Sequence, residues 1–268
     1  MIKDITLGQY FPLDSPIHRI DPRFKILFTL FYIVLIFFAN SVLTYVLSGL
    51  FCAFVVFLSK VKVSVVLKSV KSLMYVIIIT AIINVFFTNG QDVLWQWKFL
   101  KITTLGVKNA VNMALRLVFL VMGSSLLTYT TSPIALTDGM EKLLKPFSKI
   151  GLPSHEIAMM MTIALRFIPT LLEETQKIMT AQKSRGADFE NGGLIKRAKA
   201  LVPVLIPLFI NSFKRADELA TAMECRCYKG GEGRTRLRVL KLQKLDFVAL
   251  FVMVAFGTLL ITMHIFSI

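Results

Sequence analysis

Residues 26–59 read ILFTLFYIVLIFFANSVLTYVLSGLFCAFVVFLS, 34 positions without a formal charge. A helix rises about 1.5 Å per residue and the hydrocarbon core of a bilayer is about 30 Å thick, so about 20 apolar residues make one crossing. The run is too long for one crossing, and it carries Asn40, Ser41 and Thr44 near its middle. Those side chains compete for backbone hydrogen bonds and favour turns and caps. The run therefore predicts two spans, 24–40 and 43–59, the second short and open to tilt or irregularity. Uncharged runs recur at 72–91, 117–137 and 247–268, which places further spans at 71–89, 111–131 and 247–266. Hydrophobic residues make up 55% of the chain and the mean hydropathy is +0.68, whereas a soluble domain is about 45–50% apolar. The chain reads as an all-α integral membrane protein with about five transmembrane helices.

Charge then orients the spans. The net charge is +15, and in a membrane protein such an excess reflects retention of Lys and Arg on the cytoplasmic side more readily than contact with nucleic acid. Lys3, Arg19, Arg23 and Lys25 precede the first span, the turn at 40–44 has no charge, and Lys60, Lys62, Lys68 and Lys71 follow the second. Segment 132–246 carries 19 Lys or Arg against 12 Asp or Glu. Alternation puts the N-terminus, 60–71 and 132–246 in the cytoplasm and the C-terminus outside. Lys98, Lys101 and Lys108 run mildly against this order, while Trp95 and Trp97 suit a membrane-interface belt. Arg116 is the one charge inside a predicted span. It either snorkels to the interface or has a packing partner in another helix. Residues 1–25 carry charges and three prolines instead of a basic tip and apolar core, so no cleavable signal is expected.

The resulting organisation has a membrane domain over 1–131, a cytoplasmic domain over 132–246 and a last span in 247–268. Segment 132–246 is too long for a loop and too apolar for a disordered tail. It predicts three helices. The first, 133–149, has Ser132 as N-cap, Pro133 at its first position and Gly151 just beyond its end. The second runs from Ser154 to about 188 and the third spans 194–228. The second is apolar from Ile157 to Leu165 and then charged from Arg166. The third reverses the order, with LVPVLIPLFI at 201–210 and charges over 211–228. Pro169 is expected to kink the second helix, and Pro203 with Pro207 to bend or break the third. The charged halves end in similar tripeptides, Ser184-Arg185-Gly186 and Cys225-Arg226-Cys227. A guanidinium favours planar pairing with carboxylate or phosphate, so the two arginines are candidates for docking. They also sit where a cation eases a helix dipole.

Sites for chemistry are sparse. No G-x-x-x-x-G-K-[ST] occurs, so no phosphate-cradling loop is expected. Gly230, Gly231 and Gly233 read as a linker. His155-Glu156 opens an H-E pair, but Met159 stands where a zinc site needs its second His. His18 and His264 have no metal-ligand spacing. Glu173 and Glu174 diverge by about 100° on a helix and read as a solvated face. Cys225 and Cys227 form C-x-C and, with Cys52, read as packing thiols. No acidic residue falls in a predicted span, which weighs against a proton- or sodium-driven carrier. No catalytic, cofactor or metal site is expected.

Several segments resemble, in order, the transmembrane (T) component of energy-coupling factor transporters, an ABC-type importer family. These are Gly8-Gln9-Tyr10, residues 14–25 (DSPIHRIDPRFK), Thr131-Ser132-Pro133, residues 164–169 (ALRFIP), 181–187 (AQKSRGA), 215–220 (RADELA) and 222–228 (AMECRCY). The resemblance implies a non-catalytic scaffold in a prokaryotic cell membrane. Such a scaffold joins two ABC-type ATPases, which use ATP and Mg, to a small membrane S component that captures a vitamin or metal ion. It implies that the three cytoplasmic helices between the fourth and fifth spans are coupling helices. ATPase docking would then fall on Ser184, Arg185, Gly186, Cys225, Arg226 and Cys227, with support from Arg166, Pro169, Met179, Met223 and Glu224. This sequence departs from the family's Ala-Arg-Gly pattern at Ser184, Cys225 and Cys227, and the missing second glycine puts a tight backbone approach there in question. Two rivals remain. A stand-alone carrier or channel would need a polar path built from Asn84, Asn112 and Arg116. A membrane enzyme would use Arg166, Glu173 and Glu174.

Overall fold

The computed structural model describes residues 9–88, 93–97, 100–151, 153–189, 193–231 and 242–266. Its described residues fall into two units: those between Gly8 and Lys142 together with those from Val239 to Ile268, and those between Leu143 and Arg238.

The first unit begins with a densely capped segment. Ser15 caps the short helix α1 (Pro16–Arg19), Asp14 pairs with Arg19 at 2.8 Å, and Asp21 caps α2 (Pro22–Phe37) by accepting the Arg23 N–H at 2.9 Å. Prolines open both helices, where the missing N–H costs nothing. The His18 Nε2–H donates to the Phe11 carbonyl at 3.0 Å, and its Nδ1 accepts from the Ser15 hydroxyl at 2.7 Å. Burial and then the nearby Lys25 ammonium pull the His18 pKa below its ordinary value, so the ring stays neutral at pH 7. Much of the family-like motif at 14–25 is thus cap chemistry.

Helix α3 (Val42–Ser59) starts where the turn residues place it. The Thr44 hydroxyl accepts the Ser41 N–H at 3.1 Å and donates back to the Ser41 carbonyl at 2.7 Å. The span expected at 71–89 is instead two helices, α4 (Val63–Ser72) and α5 (Met74–Phe87), bent by 55° around Leu73. Part of what reads as a lysine loop is therefore helical. Val66 and Val70 of α4 are buried, with Lys68 and Lys71 exposed on its outer face. The one departure from all-α structure among the described residues is an antiparallel hairpin, β1 (Val93–Trp97) with β2 (Leu100–Thr103). Trp95 and Trp97 lie in β1, and their side chains are outside the described set.

Helix α6 (Thr104–Thr130) starts earlier than expected because the Thr103 hydroxyl accepts the Gly106 N–H at 3.0 Å. It packs against α2, α3, α4 and α5. Helix α7 (Pro133–Leu144) stops short of 149 and passes into a 3-10 turn over Lys145–Ile150, where Pro146 removes a donor. Helix α10 (Lys244–Phe266) returns to pack on α2 and α3. Tyr32, Leu35 and Ile36 of α2, Cys52 of α3 and Met253, Phe256 and Leu260 of α10 form one buried cluster. The Phe51 and Phe256 rings stack there at 4.0 Å. Gly123 of α6 lies directly under the Tyr32 ring, where a methyl group would collide.

Arg116 has packing partners on another helix. It reaches the end of α2, donating to Asn40 Oδ1 at 3.0 Å and more weakly to the Ala39 carbonyl at 3.3 Å, with its guanidinium 5.5 Å from the Phe37 ring centre. A cation at a helix C-terminus meets the negative end of the dipole. Nor is the membrane unit free of buried acid. Asp246, in the first turn of α10, is fully buried and accepts the Asp21 N–H at 2.8 Å and the Gln243 N–H at 2.7 Å.

The second unit contains α8 (Ser154–Ser184) and α9 (Leu194–Cys225), which pack on each other. Pro169 lies inside α8, and Pro203 and Pro207 inside α9, and none of them ends its helix. By length and hydropathy, α3, α6, α8, α10 and the bent pair α4–α5 are long and apolar enough to cross a membrane, four helices or five with the pair. That set differs from the expected one in two places. Helix α2 has 16 residues, about 24 Å of rise, and α8 joins the set although its residues read as cytoplasmic.

Candidate functional site

Helices α8 and α9 end in the same backbone motif. After α8, the Gly186 N–H donates to the Lys183 carbonyl at 3.0 Å and the Ala187 N–H to the Gln182 carbonyl at 3.0 Å. After α9, the Cys227 N–H donates to the Glu224 carbonyl at 2.8 Å and the Tyr228 N–H to the Met223 carbonyl at 3.0 Å. This paired bonding is a Schellman cap, which satisfies the last carbonyls of a helix and needs a left-handed residue just past its end. Gly186 supplies that residue at φ 87° and Cys227 at φ 54°. Arg185 and Arg226 occupy the same position in the two caps.

The cap explains why the two tripeptides look alike, and it answers the question raised by Cys227. A Cβ built on Gly186 meets nothing within 4 Å, so the glycine there serves backbone conformation and not close packing within this chain. Cys227 adopts the same conformation despite its side chain. A left-handed non-glycine residue costs about 1–2 kcal/mol, so Cys227→Gly is expected to stabilise the end of α9 by about 1 kcal/mol. Slower amide exchange at Cys227 and Tyr228 in the glycine variant is the measurement. Unchanged exchange would contradict the strain.

Ser184, Arg185, Gly186, Cys225, Arg226 and Cys227 are all exposed. Among the described residues, neither Arg185 nor Arg226 makes an ion pair within the chain. Met179 and Met223, six and three residues before the cap arginines, are half-buried, and Glu224, Arg166 and Pro169 are exposed. What joins α8 to α9 is a contact that sequence reasoning missed. Glu174, read as a solvated acid, is half-buried, accepts from the Asn211 side-chain amide and forms an ion pair with Arg215 at 3.2 Å. A helical pattern shows that Glu174 shares a face with Leu171 and Ile178 but not that α9 brings Asn211 and Arg215 to it. Glu173 stays exposed, so the two adjacent acids do not form a pair. His155 packs its ring beneath Gly231, where a Cβ would lie 2.7 Å from its Cγ. Gly231 therefore serves close packing and not only the linker read from the sequence; Gly233 is outside the described residues.

Residues 14–237 match the family of cobalt transport proteins. The chain is 60% identical over 250 residues to the energy-coupling factor transporter transmembrane protein of Clostridium kluyveri, covering 93% of each chain. It is 57% identical over 265 residues to the protein of that name from Acidaminococcus fermentans, covering 96% of this chain and 97% of the relative. The chain belongs to the family of energy-coupling factor T components. It is therefore a multi-pass membrane subunit of a transporter, and its apolar helices fit that setting: Phe57, Tyr75 and Phe251 are 82%, 81% and 75% exposed, as lipid-facing side chains are. This T component carries the two arginine signatures on matched helix ends. The stand-alone carrier is not favoured by these relatives, whose name is that of a transporter's transmembrane component.

Proposed function

We propose that this chain is the scaffold that transmits ATP-driven movement of two partner ATPases to an S component holding a vitamin or metal ion. The observation that supports it is the pair of matching caps, each presenting an exposed arginine with no ion-pair partner among the described residues. Two equivalent tips suit two equivalent ATPases. Helices α8 and α9 act as coupling helices on the cytoplasmic side, together with α7, and the 19 basic residues over 132–246 support that side for the segment. The apolar stretch of α8 is confined to its first half, before Arg166, so a cytoplasmic tip and an apolar root coexist on one helix. ATP and Mg belong to the ATPases, and this chain turns over no nucleotide.

Affinity purification of the tagged chain from its native membranes tests this. Two ATPase subunits and one small membrane protein are expected to co-purify, with ATP turnover present in that complex and absent from the chain alone. Substrate uptake by the chain alone in proteoliposomes would overturn the proposal in favour of a carrier. Partner-free activity lost on mutating Glu173 or Glu174 would overturn it in favour of an enzyme.

A further inference from the structure

Within the first unit, α1, α2, α3, α6 and α10 enclose a cleft of about 260 Å³ whose walls are almost wholly apolar. Phe28 and Tyr32 of α2, Phe54 and Leu58 of α3, and Val248 and Ala249 of α10 are among its lining. Phe54 and Val248 are 50% and 59% exposed, so the cleft opens sideways between the helices. At one end it adjoins a polar cavity of about 360 Å³ lined by His18, Arg19, Asp21 and Thr131 among others, and Ile20, Lys25 and Thr130 belong to both walls.

Lys25 is the buried charge at that junction. It is 6% exposed, and its Nζ donates to the His18 carbonyl at 3.1 Å and the Thr130 carbonyl at 2.9 Å. An ammonium has three donors, so one remains unspent, and no carboxylate among the described residues lies within ion-pair distance of it. The carboxylates that act on it, Asp246 and Asp21, are engaged elsewhere. Arg19 is paired with Asp14, Arg23 lies against Asp21, and Asp246 is occupied by two backbone N–H groups.

An apolar cleft in a membrane protein does not hold water, and an empty one forfeits the dispersion contacts of its walls. Hydrocarbon chain is the available filling. The cationic end calls for a charged group attached to that chain. We propose that the cleft and its polar mouth bind one anionic phospholipid, with an acyl chain between α3 and α10 and the phosphodiester at Lys25. A partner's apolar helix would fill the cleft but bring no anionic oxygen to the free ammonium donor. Free phosphate would satisfy the ammonium and leave the cleft empty.

Native mass spectrometry of the full chain released from a mild detergent tests the assignment. Phosphatidylglycerol and phosphatidylcholine of matched chains are titrated separately. One phosphatidylglycerol per chain is expected, retained at about tenfold lower lipid concentration than phosphatidylcholine. Ala249→Phe, which fills the cleft, is expected to abolish that preference, and inorganic phosphate is expected not to compete. Equal retention of the two lipids, wild-type retention by the Ala249→Phe variant, or displacement of lipid by phosphate would each overturn the proposal. The headgroup comparison needs only the wild-type chain and decides the matter even if the variant does not fold.

Discussion

Replacing Arg185 and Arg226 together by glutamate is expected to strip the ATPases from the complex and abolish uptake, while the chain still inserts and melts as the wild type does. The magnitude follows from what each arginine would lose. A charge-assisted hydrogen bond contributes about 1.5–3 kcal/mol, and truncating one partner of a desolvated charge pair at an interface costs about 2–5 kcal/mol. Since about 1.4 kcal/mol is tenfold in affinity, each single reversal is expected to weaken ATPase binding at least about tenfold, and the double far more. The lysine pair Arg185→Lys with Arg226→Lys separates charge from shape. Lysine keeps the charge but not the planar fork, so binding is expected to fall between wild type and the reversals. The competing account, in which both arginines only ease the helix dipole, predicts about 0.3–1 kcal/mol of helix stability and no effect on the ATPases. Co-purification yield and uptake in proteoliposomes distinguish the two. Normal transport by both single reversals and by the double would remove the docking role.

How much of this was legible beforehand depends on whether the deciding contact is local. The cap at Ser41 is local, and α3 begins where the turn residues mark it, whereas the equally local caps at Thr103 and Asp21 carry no mark in the apolar pattern that sets the spans. The break between α4 and α5 was missed because residues 60–71 are rich in lysine, and charge masked the Val66 and Val70 spacing of an amphipathic turn. The sequence places the ends of α8 and α9 a few residues late, at 188 and 228 instead of Ser184 and Cys225. Arg185 and Arg226 continue a helical pattern in sequence, but the left-handed residues at 186 and 227 end it. Cysteine carries no signal for a left-handed turn as glycine does, so Cys227 could be read only by analogy with Gly186. Arg116 and Glu174 were beyond reach for a different reason. Their partners, Asn40 for one and Asn211 with Arg215 for the other, lie on different elements far along the chain. One charge in an apolar run shows that a partner is needed, not which one it is.

Asp246→Ala is expected to be the most damaging single substitution to the membrane unit, because that carboxylate joins the two ends of the chain. Its Oδ1 holds the Asp21 N–H at the entrance to α2, and its Oδ2 holds the Gln243 N–H at the entrance to α10. Both donors belong to helix starts, where backbone N–H groups have no intrahelical acceptor. Loss of the carboxylate orphans both, at about 1–3 kcal/mol each, so a loss of about 3 kcal/mol or more is expected. Asp246→Asn keeps one carbonyl oxygen and is expected to recover part of that loss. If burial of the side chain alone mattered, alanine and asparagine would not separate in that order. The measurement is the unfolding midpoint in detergent. A midpoint unchanged in the alanine variant would sink the argument. The expected result would show that the family-like motif around Asp21 and Pro22 serves a clasp inside the membrane unit. The surfaces that meet other subunits would then have to be sought on α8 and α9.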